Sequence, residues 1–399
     1  MPILAEKGLC TGCSACSNIC THEAIAIQKN TEGFLCPTID SATCVECGLC
    51  ETVCPVLYPI KKEGPAPKTY ALWSNPDREY SSSGGAFSAF ARLVLKRGGL
   101  VFGAVYDKEL NLHHAAIETV EELETMRGSK YVQSEIGKVF QDVRKALNKE
   151  RWVLFCGTPC QIAGLRAFLK KSYDTLLTID LVCHGVPSGE IFHAYLKKLK
   201  NRLGFAETSL HITNYEFRRR DGWGIAPSIS TGSNSCHLLY GTNALYMEAF
   251  NSSSIFRMCC YSCSYTHIPR IGDITIGDFW GIGRYGTPFK QDTMKGVSLV
   301  LINTNHGAEI LAALEDVYIE QRTLEEAMIE NPNLRAPSPL HPKRDEIIAA
   351  FLDSSRTLDS IDKEFKLVDH GLKETVKRLA AKIGFFDTIK RVYNWYRSH

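Results

Sequence analysis

Cys10-Thr-Gly-Cys13-Ser-Ala-Cys16-Ser-Asn-Ile-Cys20 and Cys44-Val-Glu-Cys47-Gly-Leu-Cys50-Glu-Thr-Val-Cys54-Pro55 decide how this chain is read. Both runs space their cysteines as C-x2-C-x2-C-x3-C. Three thiolates spaced by two residues on a tight loop can cap three irons of one cubane. The fourth iron is then reached by the last cysteine of the other run. Cys10, Cys13, Cys16 and Cys54 are thus expected to hold one 4Fe–4S cluster, and Cys44, Cys47, Cys50 and Cys20 a second. Gly12 and Gly48 lie inside these loops, where backbone has to pass close to inorganic sulfide.

Zinc modules usually take two C-x2-C pairs across a longer loop, so two four-cysteine runs, the second followed by Pro55, fit zinc poorly. Disulfides fit least, because the opening Met-Pro-Ile-Leu-Ala-Glu-Lys has no apolar signal core. Thr21 stands where the first run would usually carry proline, which loosens a turn and removes no ligand. Sixteen cysteines without an export signal point to a reducing cytoplasm and to metal chemistry. The 399 residues suggest two or three domains, with an apolar fraction of 44% and a charged fraction of 23% that suit an ordinary globular chain. A net charge of +2 makes no electrostatic case for nucleic acid. No apolar run approaches the ~18–20 residues that span a bilayer.

Residues 1–60 read as an α+β ferredoxin domain with two clusters, closed by the linker Lys61-Lys-Glu-Gly-Pro-Ala-Pro-Lys68. Residues 69–342 alternate strand and helix patterns. Ser81-Ser-Ser-Gly84-Gly85 opens a helix with Phe87, Phe90, Ala91 and Val94 on its apolar face. Such a loop offers free N–H groups to a phosphate and serves equally as a plain helix cap. Trp152 to Cys156 and Leu176 to Cys183 read as strands, broken by Gly157-Thr-Pro-Cys160 and His184-Gly-Val-Pro187 and followed by helices. Two strand–turn–helix units argue for an α/β domain with a largely parallel sheet. Cys160 and Cys183 then fall on the carboxyl rim, where open α/β sheets bind ligands. Residues 204–256 read as an insertion over that rim. Their run Arg218-Arg-Arg220 is a solvated face or an anion site, the former being the commoner use. Gly281-Ile-Gly283-Arg-Tyr-Gly286 has the form of a dinucleotide fingerprint but runs into Thr-Pro rather than a helix. Residues 343–399 read as a helical tail that leaves the redox region.

Six stretches run in order over about 70–335: Ser83-Gly-Gly85, Gly128-Ser-Lys-Tyr131, Gly157-Thr-Pro-Cys-Gln161, Cys183-His-Gly185, Cys260-x-x-Cys263 and Gly277-Asp-Phe-Trp-Gly281. Together they resemble the coenzyme F420 hydrogenase/dehydrogenase beta subunit family, in which a ferredoxin module often precedes this domain. The family includes F420-oxidising subunits and the chlorophyll-cycle reductase that turns a hydroxymethyl into a methyl group. The resemblance implies an FAD-binding α/β domain, with Ser83, Gly84, Gly85, Ser129, Lys130, Tyr131, Thr158, Gln161, Asp278 and Trp280 as cofactor candidates. A third 4Fe–4S cluster is expected on Cys160, Cys183, Cys260 and Cys263, in positions that match the family. Cys156, inside a strand, and Cys259, out of the C-x2-C register, are set aside. His184 and Asp180 are the candidate proton sources beside the flavin, although a lone histidine after a strand is more often structural.

Flavin takes up a hydride as an electron pair, and a 4Fe–4S cluster carries electrons singly, so a chain with both converts one currency into the other. Two functions stay open. One is a cytoplasmic oxidoreductase acting on a small organic substrate, fed or drained by an external carrier such as ferredoxin. The other is an electron-transfer subunit serving a separate catalytic partner. In the tail, eight Lys/Arg against three Asp/Glu from Lys366 to Arg397, with Phe385, Phe386, Tyr393 and Trp395 interleaved, suit contact with an anionic membrane surface or an acidic partner. An ordinary helical tail is the commoner meaning of that pattern.

Overall fold

The computed structural model describes residues 1–60, 64–204, 211–219, 223, 227–232 and 235–369. Each cysteine run coils into a loop and a short helix. The first passes through left-handed Gly12 (φ 69°) and Ser14 (φ 62°) into α1 (Ala15–Ile19). A hairpin follows, β1 (Ile25–Lys29) and β2 (Leu35–Ile39), with Ile25 opposite Ile39. The second run turns at Gly48 (φ 72°) into α2 (Leu49–Thr52). These elements form the α+β module.

The second domain opens with β3 (Lys68–Ser74), α3 (Ala86–Lys96), β4 (Leu100–Tyr106) and β5 (Leu112–Ile117). It continues through α4 (Val139–Leu147), β6 (Val153–Gly157), α5 (Pro159–Leu169), β7 (Leu176–Leu181) and α6 (Gly189–Arg202). A separate antiparallel sheet, β8 (Ile212–Glu216), β9 (Ser228–Thr231) and β10 (Cys236–Leu238), precedes α7 (Leu245–Asn251). The chain returns to the main sheet with β11 (Ile274–Asp278), β12 (Ser298–Ile302), α8 (Asn305–Ala312), β13 (Val317–Arg322) and α9 (Leu324–Ile329). It closes with α10 (Arg344–Leu352) and α11 (Leu358–Phe365).

The eight strands of the main sheet lie in the order β13-β3-β12-β11-β7-β6-β4-β5. Its centre, β11-β7-β6-β4, is parallel. The flanks are antiparallel, β5 returning beside β4 and β12, β3 and β13 completing the other edge. A parallel sheet is therefore found at the centre alone. Strand β6 reads Val-Leu-Phe-Cys-Gly and β7 Leu-Leu-Thr-Ile-Asp-Leu, near-continuous apolar runs because helices cover both faces there.

The tail departs from expectation. Arg344 at the start of α10 donates a forked pair of hydrogen bonds to Glu32 of the ferredoxin module, at 2.6 and 2.8 Å, and a third to the Phe256 carbonyl. Ile347 and Phe351 of α10 join Phe34 of that module in one apolar cluster. The tail thus starts by clamping the module rather than leaving it. Residues 370–399, on which the expected membrane contact rests, lie outside the described residues. Among those described, no helix is long and apolar enough to cross a membrane.

Candidate functional site

The two cysteine runs cross over. Cys20, from the first run, lines one small cavity together with Cys44, Cys47 and Cys50. Cys54, from the second run, lies within electrostatic reach of Cys13 and Cys16. The Cys13 thiol is pushed up to about 11, chiefly by burial and in smaller part by neighbouring Cys10 and Cys54. Cys16 is raised by burial and then by Cys13, Cys10 and Cys54. Thiols crowded in this way hold their protons unless a cation replaces them, which is the chemistry of a metal-binding donor set. Among the described residues no three His, Cys, Asp or Glu side chains converge on a single ion position. Cys20, Cys44, Cys47 and Cys50 instead line a shared cavity.

Cys13 of the first set is buried and Cys47 of the second is exposed, the other thiols lying between these extremes except for buried Cys50. Helix α5 presents Gly164 directly to Cys13, whereas Cys47 is exposed. Around Cys47 stand Met1, Ile3, Val45 and Leu49, 67%, 74%, 57% and 37% exposed.

A third group of thiols gathers at the rim of the main sheet. Cys160 is the second residue of α5, whose first turn is closed by a capping box between Thr158 and Gln161. Cys183 follows β7, and Cys260 and Cys263 come from the turn after Phe256. Burial raises Cys160, with Cys263, Cys183 and Cys259 adding to it. Burial pushes Cys183 up to about 12, with Cys263 again contributing. Cys260 is raised by its hydrogen bond with Cys259 and by burial, and it also senses Cys183. The four cysteines named from the sequence are therefore neighbours. Cys259 lies closer to them than its register implied, since it acts electrostatically on both Cys160 and Cys10.

Tyr265 joins the ferredoxin set around Cys13 to this third group. It shares an apolar cluster with Cys13, against which Cys160 and Cys263 pack. Burial raises its phenol, and Cys160, Cys13, Cys263 and Cys54 all add to the effect. Nothing in the sequence marks this tyrosine.

The main cleft, about 420 Å³, opens beside the third group. Cys160 and Cys183 form part of its wall, as do Thr11 and Gly12 of the ferredoxin module. Ser83, Gly85, Ser129, Lys130, Tyr131, Thr158, Gln161, His184, Asp278 and Trp280 all line it. The N-terminus of α3 points into it through Gly85 to Ser88. Gly85 is left-handed (φ 83°) and supplies no capping side chain, so the plain-cap role is not played by its own residue.

Several sequence candidates have other work. Gly84 faces away from the cleft, since a β-carbon there would sit 2.3 Å from the Leu72 carbonyl oxygen. Lys130 turns its ammonium back to the carbonyls of Met126, Arg127 and Gly128, at 3.0, 2.8 and 3.3 Å, and so shapes its own loop. Thr158 and Gln161 cap α5, and Gln161 also donates to the Ser134 carbonyl at 3.3 Å. Asp278 accepts two hydrogen bonds from Arg218 and one, at 2.8 Å, from the Trp223 indole. Trp223 stacks on Trp280 with centroids 4.9 Å apart. Arg218 is 3% exposed, so this member of the arginine run is no solvated face, and Arg220 lies outside the described residues.

Of the two proton-source candidates, only one reaches the cleft. His184 is exposed to its lumen, while the surrounding protein lowers its pKa through desolvation against the opposing pull of Asp278. Asp180 is fully buried, paired to Arg270 at 2.9 Å and accepting the Gly272 N–H at 2.8 Å. It sits beneath the sheet rim as a structural ion pair, which removes it from proton transfer in the cleft. His114, unmarked in the sequence, lines the cleft between Ser134 Oγ at 2.8 Å and the Cys156 carbonyl at 3.1 Å. Burial pushes it down to about 4, so it is neutral. The carbonyl can only accept, which puts the proton on Nε2.

Residues 9–57 match the 4Fe-4S dicluster domain. Residues 150–327 match the family described as the C terminus of the coenzyme F420 hydrogenase/dehydrogenase beta subunit. Over 324 residues the chain is 26% identical to a coenzyme F420-dependent sulfite reductase of Methanocaldococcus jannaschii, covering 78% of this chain and 47% of that protein. The chain thus spans about half the length of that relative. A chain of the F420-reducing [NiFe] hydrogenase complex from Methanosarcina barkeri superposes with a TM-score of 0.43 and 17% identity, over 77% of this chain and 94% of the other. In chain order the molecule therefore carries a stretch that matches the 4Fe-4S dicluster domain and a stretch that matches the C terminus of the coenzyme F420 hydrogenase/dehydrogenase beta subunit.

Proposed function

We propose that the chain is an iron–sulfur flavoprotein oxidoreductase that exchanges electrons between a two-electron site in the main cleft and 4Fe–4S clusters. One observation carries this reading. The thiol set around Cys13 shares Tyr265 with the group whose Cys160 and Cys183 stand in the cleft wall, and the other ferredoxin set carries Cys47 at the surface. The crowded donor sets suit three cubanes, on Cys10, Cys13, Cys16 and Cys54, on Cys20, Cys44, Cys47 and Cys50, and on Cys160, Cys183, Cys260 and Cys263.

The cleft suits FAD. Its volume lies in the range of cofactor sites, and the α3 N-terminus brings backbone N–H groups and a positive dipole end for a pyrophosphate. Ser82 and Ser129, whose hydroxyls share a hydrogen bond at 3.0 Å, tie the loops on either side. A bound flavin would supply the exchange of one hydride for two single electrons. Trp280 and the Arg218–Asp278 pair form a polar and aromatic wall, and neutral His184 is the group placed to take up or release a proton there. The relative's name supplies coenzyme F420 as the first hydride carrier to test, with nicotinamide as the control.

The apolar residues around Cys47 favour a one-electron carrier or partner subunit docking at that edge. The deciding experiment is anaerobic purification with iron, sulfide and flavin quantified per chain. A screen of F420, nicotinamide and one-electron carriers follows. About twelve irons with one FAD per chain is the expected result, by the ligand count of three cubanes. A flavin-free protein that keeps its iron would remove the two-electron site.

A further inference from the structure

Among the described residues five arginines are buried, Arg218, Arg257, Arg270, Arg322 and Arg344. Four of them pair with a carboxylate, Asp278, Asp180, Glu326 and Glu32 for Arg218, Arg270, Arg322 and Arg344 respectively. Arg257, 3% exposed, pairs with no carboxylate among the described residues. It belongs to the second domain, just ahead of Cys259, yet its side chain enters the ferredoxin module. Nε donates to the Cys10 carbonyl at 2.6 Å, and Nη1 to the Leu35 carbonyl at 2.9 Å. Nη1 also reaches Gln133 Oε1 at 3.4 Å, and Nη2 points at Cys36 Sγ at 3.2 Å. Gly12 makes room for it, because a β-carbon there would stand 3.1 Å from Nη1.

Besides these dipoles the guanidinium faces ionisable thiols, Cys259 and Cys36, and it adds to the hydrogen bond with Cys260 in lowering the pKa of Cys259, so its charge is compensated only where sulfur nearby is anionic. The fold tolerates it where an anion completes the site. On the cluster reading given above, that anion is at hand. Four thiolates leave a cubane net negative, and one-electron reduction adds a further negative charge. Burial by itself disfavours that extra charge. Cys47 of the second set is open to water, whereas desolvation is the largest influence on Cys10, Cys13 and Cys16 of the first.

We propose that Arg257 is the internal countercharge of the cluster held by Cys10, Cys13, Cys16 and Cys54. It is a positioning residue that favours this cluster's reduced state while fastening the module to the second domain. The cluster takes one electron and Arg257 keeps its proton throughout, so no other reactant is involved.

The test uses the full chain, reconstituted anaerobically and titrated with dithionite under EPR. Loss of one redox step in Cys54→Ala identifies this cluster. Arg257→Gln should keep its iron and sulfide, while the reduced-to-oxidised ratio of that cluster at fixed potential falls about tenfold, which is 59 mV for one electron. Arg257→Lys should stay within about twofold of the wild type, because it keeps the charge and loses the fork. Gln133→Glu, which hands Arg257 a carboxylate, should move the same step the same way as Arg257→Gln and serves if that variant does not fold. An unmoved step in an iron-replete Arg257→Gln or Gln133→Glu protein would overturn the proposal. So would an Arg257→Lys protein as displaced as Arg257→Gln, since geometry rather than charge would then be at work. A wild-type protein that takes up no iron would instead overturn the cluster reading itself.

Discussion

Gly164 stands against Cys13 so closely that a β-carbon added to it would lie 2.8 Å from the Cys13 β-carbon and 2.9 Å from its sulfur. Helix α5 therefore touches both thiol groups, with Cys160 in its first turn and Gly164 one turn later. Gly164→Ala should force Cys13 out of place, costing about 1–3 kcal/mol as overpacking does. Iron content should fall by about four per chain, by the ligand count of one cubane, with the cleft left intact. A Gly164→Ala protein with full iron would show that α5 can move aside.

Asp180 and Arg270 are both almost wholly buried. Removing one partner strands the other, so Asp180→Ala should lose about 3–5 kcal/mol in urea unfolding. Asp180→Asn keeps the hydrogen-bonding shape and should lose less. A stable Asp180→Ala protein with an altered pH–rate profile would return this residue to the chemistry.

His114 makes acid sensitivity specific. Its pKa is lowered from 6.5 in the unfolded chain to about 4 in the fold by burial. The unfolded state thus binds more protons between those values, and the stabilisation present above 6.5 is lost as pH falls towards 4. The full loss is about 3 kcal/mol. Gln at this position can donate to the Cys156 carbonyl without titrating. Urea unfolding at neutral and acid pH should show a smaller acid loss in His114→Gln than in the wild type. Equal losses would mean that other groups dominate.

Ser83 and Gly84 are adjacent but do different jobs. Ser83 lines the cleft, and Ser83→Leu should lower bound flavin, read by absorbance per chain, by about tenfold without unfolding the protein. Gly84→Val should fail to fold, because its β-carbon would meet Leu72 and Ser298 backbone at 2.3 and 2.6 Å. Flavin-replete Ser83→Leu protein would move the cofactor elsewhere.

Val45 is 57% exposed beside Cys47. Val45→Glu should slow electron exchange with one-electron carriers by about tenfold while cluster content stays constant. Stopped-flow reduction at several salt concentrations would check this. An unchanged rate would place the exit at another edge.

Much of the site was legible because cluster ligation demands local spacing. The C-x2-C-x2-C-x3-C runs and the Gly157 to Cys160 turn carry their meaning within a few residues. What the sequence does not display lives in long-range pairing. Arg257 meets Cys10 across 247 positions, and Asp180 meets Arg270 across 90. Seen in sequence, Asp180 is a carboxylate near a strand end, which suits proton transfer as well as it suits an ion pair. Arg218 beside Arg219 and Arg220 looks solvated until Asp278, 60 residues on, is seen to claim it. The sheet's antiparallel flanks are hidden from the sequence for a similar reason, because β3 and β12 pair across most of the domain.

The clamp between Glu32 and Arg344 has a consequence for synthesis. These partners stand 312 residues apart, so the ferredoxin module leaves the ribosome long before the helix that secures it exists. Phe34, which shares an apolar cluster with that helix in the finished molecule, gains this part of its cover late in translation. The module is therefore translated well before the residues that secure it, 312 positions further on.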